Sequence, residues 1–99
     1  MLNISKDVNG SVLTVSLEGR LDTTTSPQLE EELKSSINDV TELCFDIKDL
    51  QYISSAGLRV LLSAQKIMNK QGSMVVKNTS EEVREIFDVT GFSDILTIE

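Results

Sequence analysis

Leu13, Val15 and Leu17 alternate with Thr14, Ser16 and Glu18. That period of two belongs to a strand with one buried face. Leu2 and Ile4 alternate with polar residues ahead of it and predict a short first strand. Between the two runs stands Val8-Asn9-Gly10-Ser11. Asn-Gly is a strong hairpin signal because both residues tolerate positive φ, so the two strands are expected to be antiparallel. Gly19-Arg20-Leu21-Asp22 ends the second strand. The period then changes. Leu29, Leu33 and Ile37 recur at i+4 spacing, with Glu30, Glu31, Glu32 and Lys34 on the other side, which predicts an amphipathic helix. Thr25 and Gln28 have the spacing of a capping box, and Pro27 suits the first turn. The acidic residues are expected near the positive end of the helix dipole.

Leu43 to Ile47 is apolar on both faces apart from Asp46, as for a strand inside a sheet. Asp49 to Ser55 is expected to be a loop. Ala56 to Lys70 reads as a helix whose apolar residues cover more than half its circumference, so it should be largely buried. Gly72 stops it. Met74-Val75-Val76 is expected to be another central strand. Thr79-Ser80-Glu81-Glu82 has the form of a second capping box, opening a helix through Val83, Ile86 and Phe87 that Gly91 closes. Ile95 to Ile98 reads as a final strand. The order β-β-α-β-α-β-α-β implies a single α/β domain over residues 1–99. Its expected sheet is mixed and mostly parallel, with an N-terminal antiparallel hairpin and helices packed against it.

Length and composition narrow the function. The 99 residues fit one core. Nine Lys and Arg against sixteen Asp and Glu give a net charge of -7, with the positive charges scattered singly. Such a surface repels nucleic acid and anionic lipid. The chain has no His, which removes Ser-His-Asp and Cys-His catalysis and the commonest transition-metal ligand. Cys44 is the only cysteine, so it forms no internal disulfide, and its apolar surroundings suggest a small buried hydrophobe. The start at Met1 shows no basic stretch followed by a long apolar one, and no apolar run is long enough to span a bilayer. A cytoplasmic protein without direct membrane insertion is expected. Asp22, Asp46 and Asp49 fall near strand ends and could converge on one rim. Their spacing matches no metal loop, so solvated or capping carboxylates are the plainer account, and neither metal nor cofactor is expected.

The segment with most functional promise is Asp49-Leu50-Gln51-Tyr52-Ile53-Ser54-Ser55-Ala56-Gly57-Leu58. It leaves the carboxyl end of a central strand and enters a buried helix, where open α/β sheets usually meet ligands and partners. Ser54 or Ser55 can cap that helix, which is all that most serines in such a place do. Either could also carry a phosphate, held by the free N–H groups and the dipole of the helix end. Gly57 lets another backbone approach closely. Arg59 sits where a cation is slightly disfavoured, which leaves contact with a partner or a phosphate, or a neutral exposed role.

Tyr52-Ile53-Ser54-Ser55-Ala56-Gly57-Leu58, preceded by Asp49-Leu50, resembles the signature of STAS-domain anti-sigma factor antagonists. Gly19-Arg20-Leu21-Asp22 resembles that family's Gly-x-Leu-Asp element, and Phe87-Asp88-Val89-Thr90-Gly91-Phe92 its third stretch. The resemblance implies a non-catalytic partner switch. In such a switch the unphosphorylated domain binds an anti-sigma factor that is a serine kinase, and so frees a sigma factor. Phosphorylation of one serine releases the domain, and a PP2C-type phosphatase resets it. Aligned through Gly57, the phosphorylated position is Ser55, with Ser54 as the alternative because it stands where the family has Asp. Partner contacts are then implied at Asp22, Thr23, Thr24, Ser54, Ser55, Ala56, Gly57, Leu58 and Arg59. The free protein would be a monomer or weak dimer. A second role stays open, that of an accessory subunit on the ATPase of a lipid-transporting ABC system. A small α/β enzyme using the same loop is the least expected.

Overall fold

The structure, a computed structural model, describes residues 2–99. Met1, on which the expectation about the chain's start rests, lies outside them. Strand β1 (Leu2–Asn9) pairs antiparallel with β2 (Val12–Leu21). Helix α1 (Ser26–Ser36) leads to β3 (Glu42–Ile53), which is parallel to β2. Helix α2 (Ser55–Gln71) leads to β4 (Ser73–Lys77), parallel to β3, and α3 (Glu81–Thr90) follows. The sheet order is β1-β2-β3-β4, mixed as expected.

Register explains where the core sits. Leu13, Leu43 and Met74 stand side by side across β2, β3 and β4, as do Val15, Phe45 and Val76. All are buried, in one cluster with Leu29, Leu33, Leu61, Met68, Val83 and Phe87 of the helices. In β1 the same face carries Lys6, whose ammonium pairs with Glu32 of α1 at 2.6 Å. The opposite face aligns Thr14, Cys44 and Val75, then Ser16, Asp46 and Lys77, none of them buried. The helices thus cover one face of the sheet and leave the other open. This corrects two expectations. Leu43–Ile47 is apolar on one face only, and Cys44 is half-exposed on the open face instead of buried.

Several boundaries also move. The hairpin turns on Gly10-Ser11, because Asn9 is still paired with Val12 and only Gly10 takes positive φ, +64°. β3 runs on to Ile53, so Asp49–Ile53 is strand and not loop. Leu50 and Ile53 are 2% and 1% exposed, and Leu21 pairs with Ile53. The register with β2 slips between Ser16/Glu18 and between Gly19/Arg20, and each slip leaves one extra residue in β3. Thr25 precedes α1 without capping it through its side chain, and the first turn holds no acidic residue. Ser80, not Thr79, caps α3, its hydroxyl accepting from the Val83 N–H at 3.3 Å. The third residue of that helix is therefore Val83, and no capping box forms. Gly91 closes α3 in the left-handed region, φ +81°. Beyond it the final strand is reduced to one bridge. Phe92–Asp94 forms a 3-10 turn, and Ile98 bridges in parallel to Val76 of β4. Among the described residues no helix is long and apolar enough to cross a membrane.

Candidate functional site

Strands β2 and β3 end together, Leu21 beside Ile53, and the chain turns at once into α2. The Ser54 N–H donates to the Leu21 carbonyl at 2.8 Å. The Ser54 backbone is extended, and its hydroxyl accepts from the Gly57 N–H at 3.4 Å. Its carbonyl accepts from the Leu58 N–H at 2.9 Å. Ser54 therefore fills the capping role. Ser55 is the first helical residue. It is exposed, and among the described residues its hydroxyl makes no hydrogen bond. The two serines have separate tasks: one holds the helix end and the other is displayed on it.

The base beneath is closely packed. A Cβ on Gly57 would lie 2.7 Å from Leu21 Cγ and 2.9 Å from Ile53 Cγ1. Gly57 is therefore needed for side chains of the sheet to approach, rather than for the backbone contact expected from the sequence. Gly57 and Leu58 face the core, whereas Ser55 and Arg59 face outward.

The facing segment is Asp22–Thr25. One carboxylate oxygen of Asp22 accepts from the Thr24 N–H at 3.0 Å, the Thr25 N–H at 3.1 Å and the Thr24 hydroxyl at 2.8 Å. The Thr25 hydroxyl accepts from the Asp22 N–H at 2.8 Å and donates to the Arg20 carbonyl at 2.9 Å. This is why Thr25 is not free to cap α1. The Thr24 hydroxyl, followed by the backbone N–H groups of Thr25 and Thr24, holds the Asp22 carboxyl below its ordinary range against an opposing effect of burial. A carboxyl with a lowered folded pKa stabilises the fold at pH above its unfolded value, about 3.9, and loses that contribution as pH falls through the folded value. Asp22→Ala should therefore lower the melting temperature at pH 6, and its deficit against the wild type should shrink as pH falls below about 4. Melting curves from pH 6 down to the acid transition check this, and a deficit independent of pH would contradict it.

Thr23, Ser26, Pro27 and Glu30 form one wall of a shallow cleft, and Ala56, Arg59, Val60 and Ser63 the other. The structure thus brings Thr23, Ala56 and Arg59 together beside Ser55. Of the three carboxylates Asp46 and Asp49 line one pocket, and Asp22 is not part of it. Asp46 accepts from the Asn78 side chain at 3.1 Å and from the Lys48 N–H at 3.2 Å, contacts that lower its pKa, with the Asn78 bond the largest cause. Among the described residues no three His, Cys, Asp or Glu side chains are placed to hold a metal. Arg20 was not anticipated as part of this end of the molecule. Its guanidinium lies 4.5 Å from the centre of the Tyr52 ring, next to the Leu21–Ile53 pair. Pairing the sequence on period two misses that neighbour, because both slips in β3 come before it.

Comparison with known proteins extends this picture. Residues 3–99 match the STAS domain. The anti-sigma-B factor antagonist of Bacillus subtilis is 35% identical over 98% of this chain and 92% of its own. The anti-sigma F factor antagonist of Paenibacillus polymyxa is 31% identical over 98% of this chain and 86% of its own. An anti-sigma factor antagonist from Mycobacterium paratuberculosis has the same fold, with a TM-score of 0.89 at 21% identity, covering 99% of this chain and 85% of that one.

Proposed function

The chain belongs to the STAS domain family, and we propose that within it the protein works as an anti-sigma factor antagonist switched at Ser55. In its unmodified state it docks on an anti-sigma factor that is also a serine kinase, through Ser55, Ala56, Arg59 and the Asp22–Thr24 segment. The sigma factor is thereby freed. The kinase then transfers the γ-phosphoryl group of ATP to Ser55. A bond forms between Ser55 Oγ and the γ-phosphorus, the bond from that phosphorus to the β–γ bridging oxygen breaks, ADP leaves, and the hydroxyl proton passes to the kinase or solvent. A phosphatase, of PP2C type by the family resemblance, hydrolyses the ester. The protein is substrate and ligand in this cycle and catalyses nothing itself.

One observation carries the reading: Ser54 caps α2 while the neighbouring Ser55 is exposed and its hydroxyl, among the described residues, makes no hydrogen bond. Phosphate therefore adds about -1.5 to -2 charges to the docking face without removing a bond the fold uses. The names of the similar antagonists support the same role. Ser54, which stands where the family has Asp, caps α2 itself.

The test is incubation with the cognate anti-sigma factor kinase and ATP, then mass spectrometry of the peptides. One phosphate is expected, on Ser55, absent from Ser55→Ala and retained in Ser54→Ala. Modification confined to Ser54 would overturn the assignment. No modification by the kinase would shift the balance to a transporter accessory subunit.

A further inference from the structure

Ser55 and Arg59 lie four residues apart near the start of α2. They are therefore neighbours on one helix face, with about 5–6 Å between their Cβ atoms. Both are exposed. The ion pairs of the described residues are Lys6 with Glu32, Lys34 with Glu30, and Arg84 with Asp88, so Arg59 belongs to none of them. The nearby cation Arg20 is occupied by the Tyr52 ring. Glu30, the carboxylate across the cleft from Arg59, pairs with Lys34 at 3.5 Å. Arg59 thus stands unpaired, one turn from the displayed hydroxyl, in the half of the helix where its charge is least favoured.

We propose that Arg59 is the internal partner of a phosphate on Ser55, its guanidinium closing on the phosphate oxygens when the residue is modified. The order is the favourable one for such a pair, anion first and cation four residues later. A guanidinium can also meet two phosphate oxygens at once. The inference rests on Ser55 as the modified residue and adds a second effect to that switch. Phosphorylation places an anion on the docking face and also withdraws a cation from the rim of the cleft. Arg59 is here a positioning residue for the phosphate, with no part in its transfer.

The test needs no kinase. Phosphoserine is installed at position 55 during synthesis, and the phosphorus chemical shift is followed against pH by NMR. The second phosphate pKa, ordinarily about 6, should fall by at least about half a unit in the folded chain relative to the same chain in urea. Arg59→Gln should remove a measurable part of that shift, the helix end keeping the rest, and Arg59→Lys should remove less. The proposal is overturned if Arg59→Gln titrates like the wild type, or if the folded and unfolded wild-type chains titrate alike. A kinase that leaves Ser55 unmodified would count against the proposed function and leave this titration untouched. The converse failure would leave the modification standing without its partner.

Discussion

Ser55→Asp is expected to weaken binding to the anti-sigma factor kinase at least tenfold and to leave the melting temperature within a few degrees of the wild type. The first half follows from charge. An aspartate brings one negative charge to a docking face on a chain already at -7. A tenfold loss corresponds to about 1.4 kcal/mol. One charge desolvated at an interface without a new basic partner costs more than that. The second half follows from geometry. Ser55 is exposed at the first helical position and Ser54 holds the cap, so the substitution removes no hydrogen bond of the fold. An acidic residue in the first turn also suits the helix dipole. Calorimetric titration and thermal melting check the two halves separately. Unchanged affinity would remove Ser55 from the interface. A fall of about ten degrees or more would mean that its hydroxyl is structural after all, since 1 kcal/mol moves the melting point of a domain this size by about 4–8 °C.

The largest loss of stability is expected far from the site, at Gly72. A Cβ there would lie 1.9 Å from the Thr41 carbonyl oxygen and 2.6 Å from its carbon. These are backbone atoms, and they are fixed. The same carbonyl accepts from the Ser73 N–H at 2.9 Å, where β3 and β4 begin side by side. Neither strand can retreat without giving up that bond and the register after it. Gly72→Ala should therefore cost about 3 kcal/mol or more, the upper end for overpacking. Gly91→Ala supplies the contrast. Its Cβ meets nothing within 4 Å, and only the positive φ of +81° opposes it, a cost of about 1 kcal/mol. Chemical denaturation of the two variants should rank them clearly. Equal costs would show that the approach of Thr41 is soft.

Local patterning made much of this architecture legible. Leu29, Leu33 and Ile37 placed one face of α1 in the core, and the hairpin, the parallel pairs and the two-serine helix entry all follow from spacing. The failures share a cause: partners distant in sequence. Ile47, Leu50 and Ile53 are spaced by three because β3 carries an extra residue at each slip against β2, so a strand reads as a loop. Thr25 has the spacing of a cap, but Asp22 and the Arg20 carbonyl take its hydroxyl first. Cys44 sits in an apolar run and is still half-exposed, because every helix lies on the other side of the sheet. Ile95–Ile98 has strand composition, yet it forms a single bridge to β4, at Ile98, held by the Thr97 carbonyl and the Glu99 N–H on Val76. At the site, the residues are evident in the sequence, but the division of labour between Ser54 and Ser55 needs the hydrogen bonds. The place of Arg20 on Tyr52 needed the register.

The central claim is that one displayed hydroxyl decides whether this domain is held by its partner. The most direct measurement titrates a single preparation into the anti-sigma factor kinase before and after stoichiometric phosphorylation of Ser55. The unmodified chain should bind and the phosphorylated one should bind at least tenfold more weakly, with binding regained after phosphatase treatment. Equal affinity of the two forms would contradict the account.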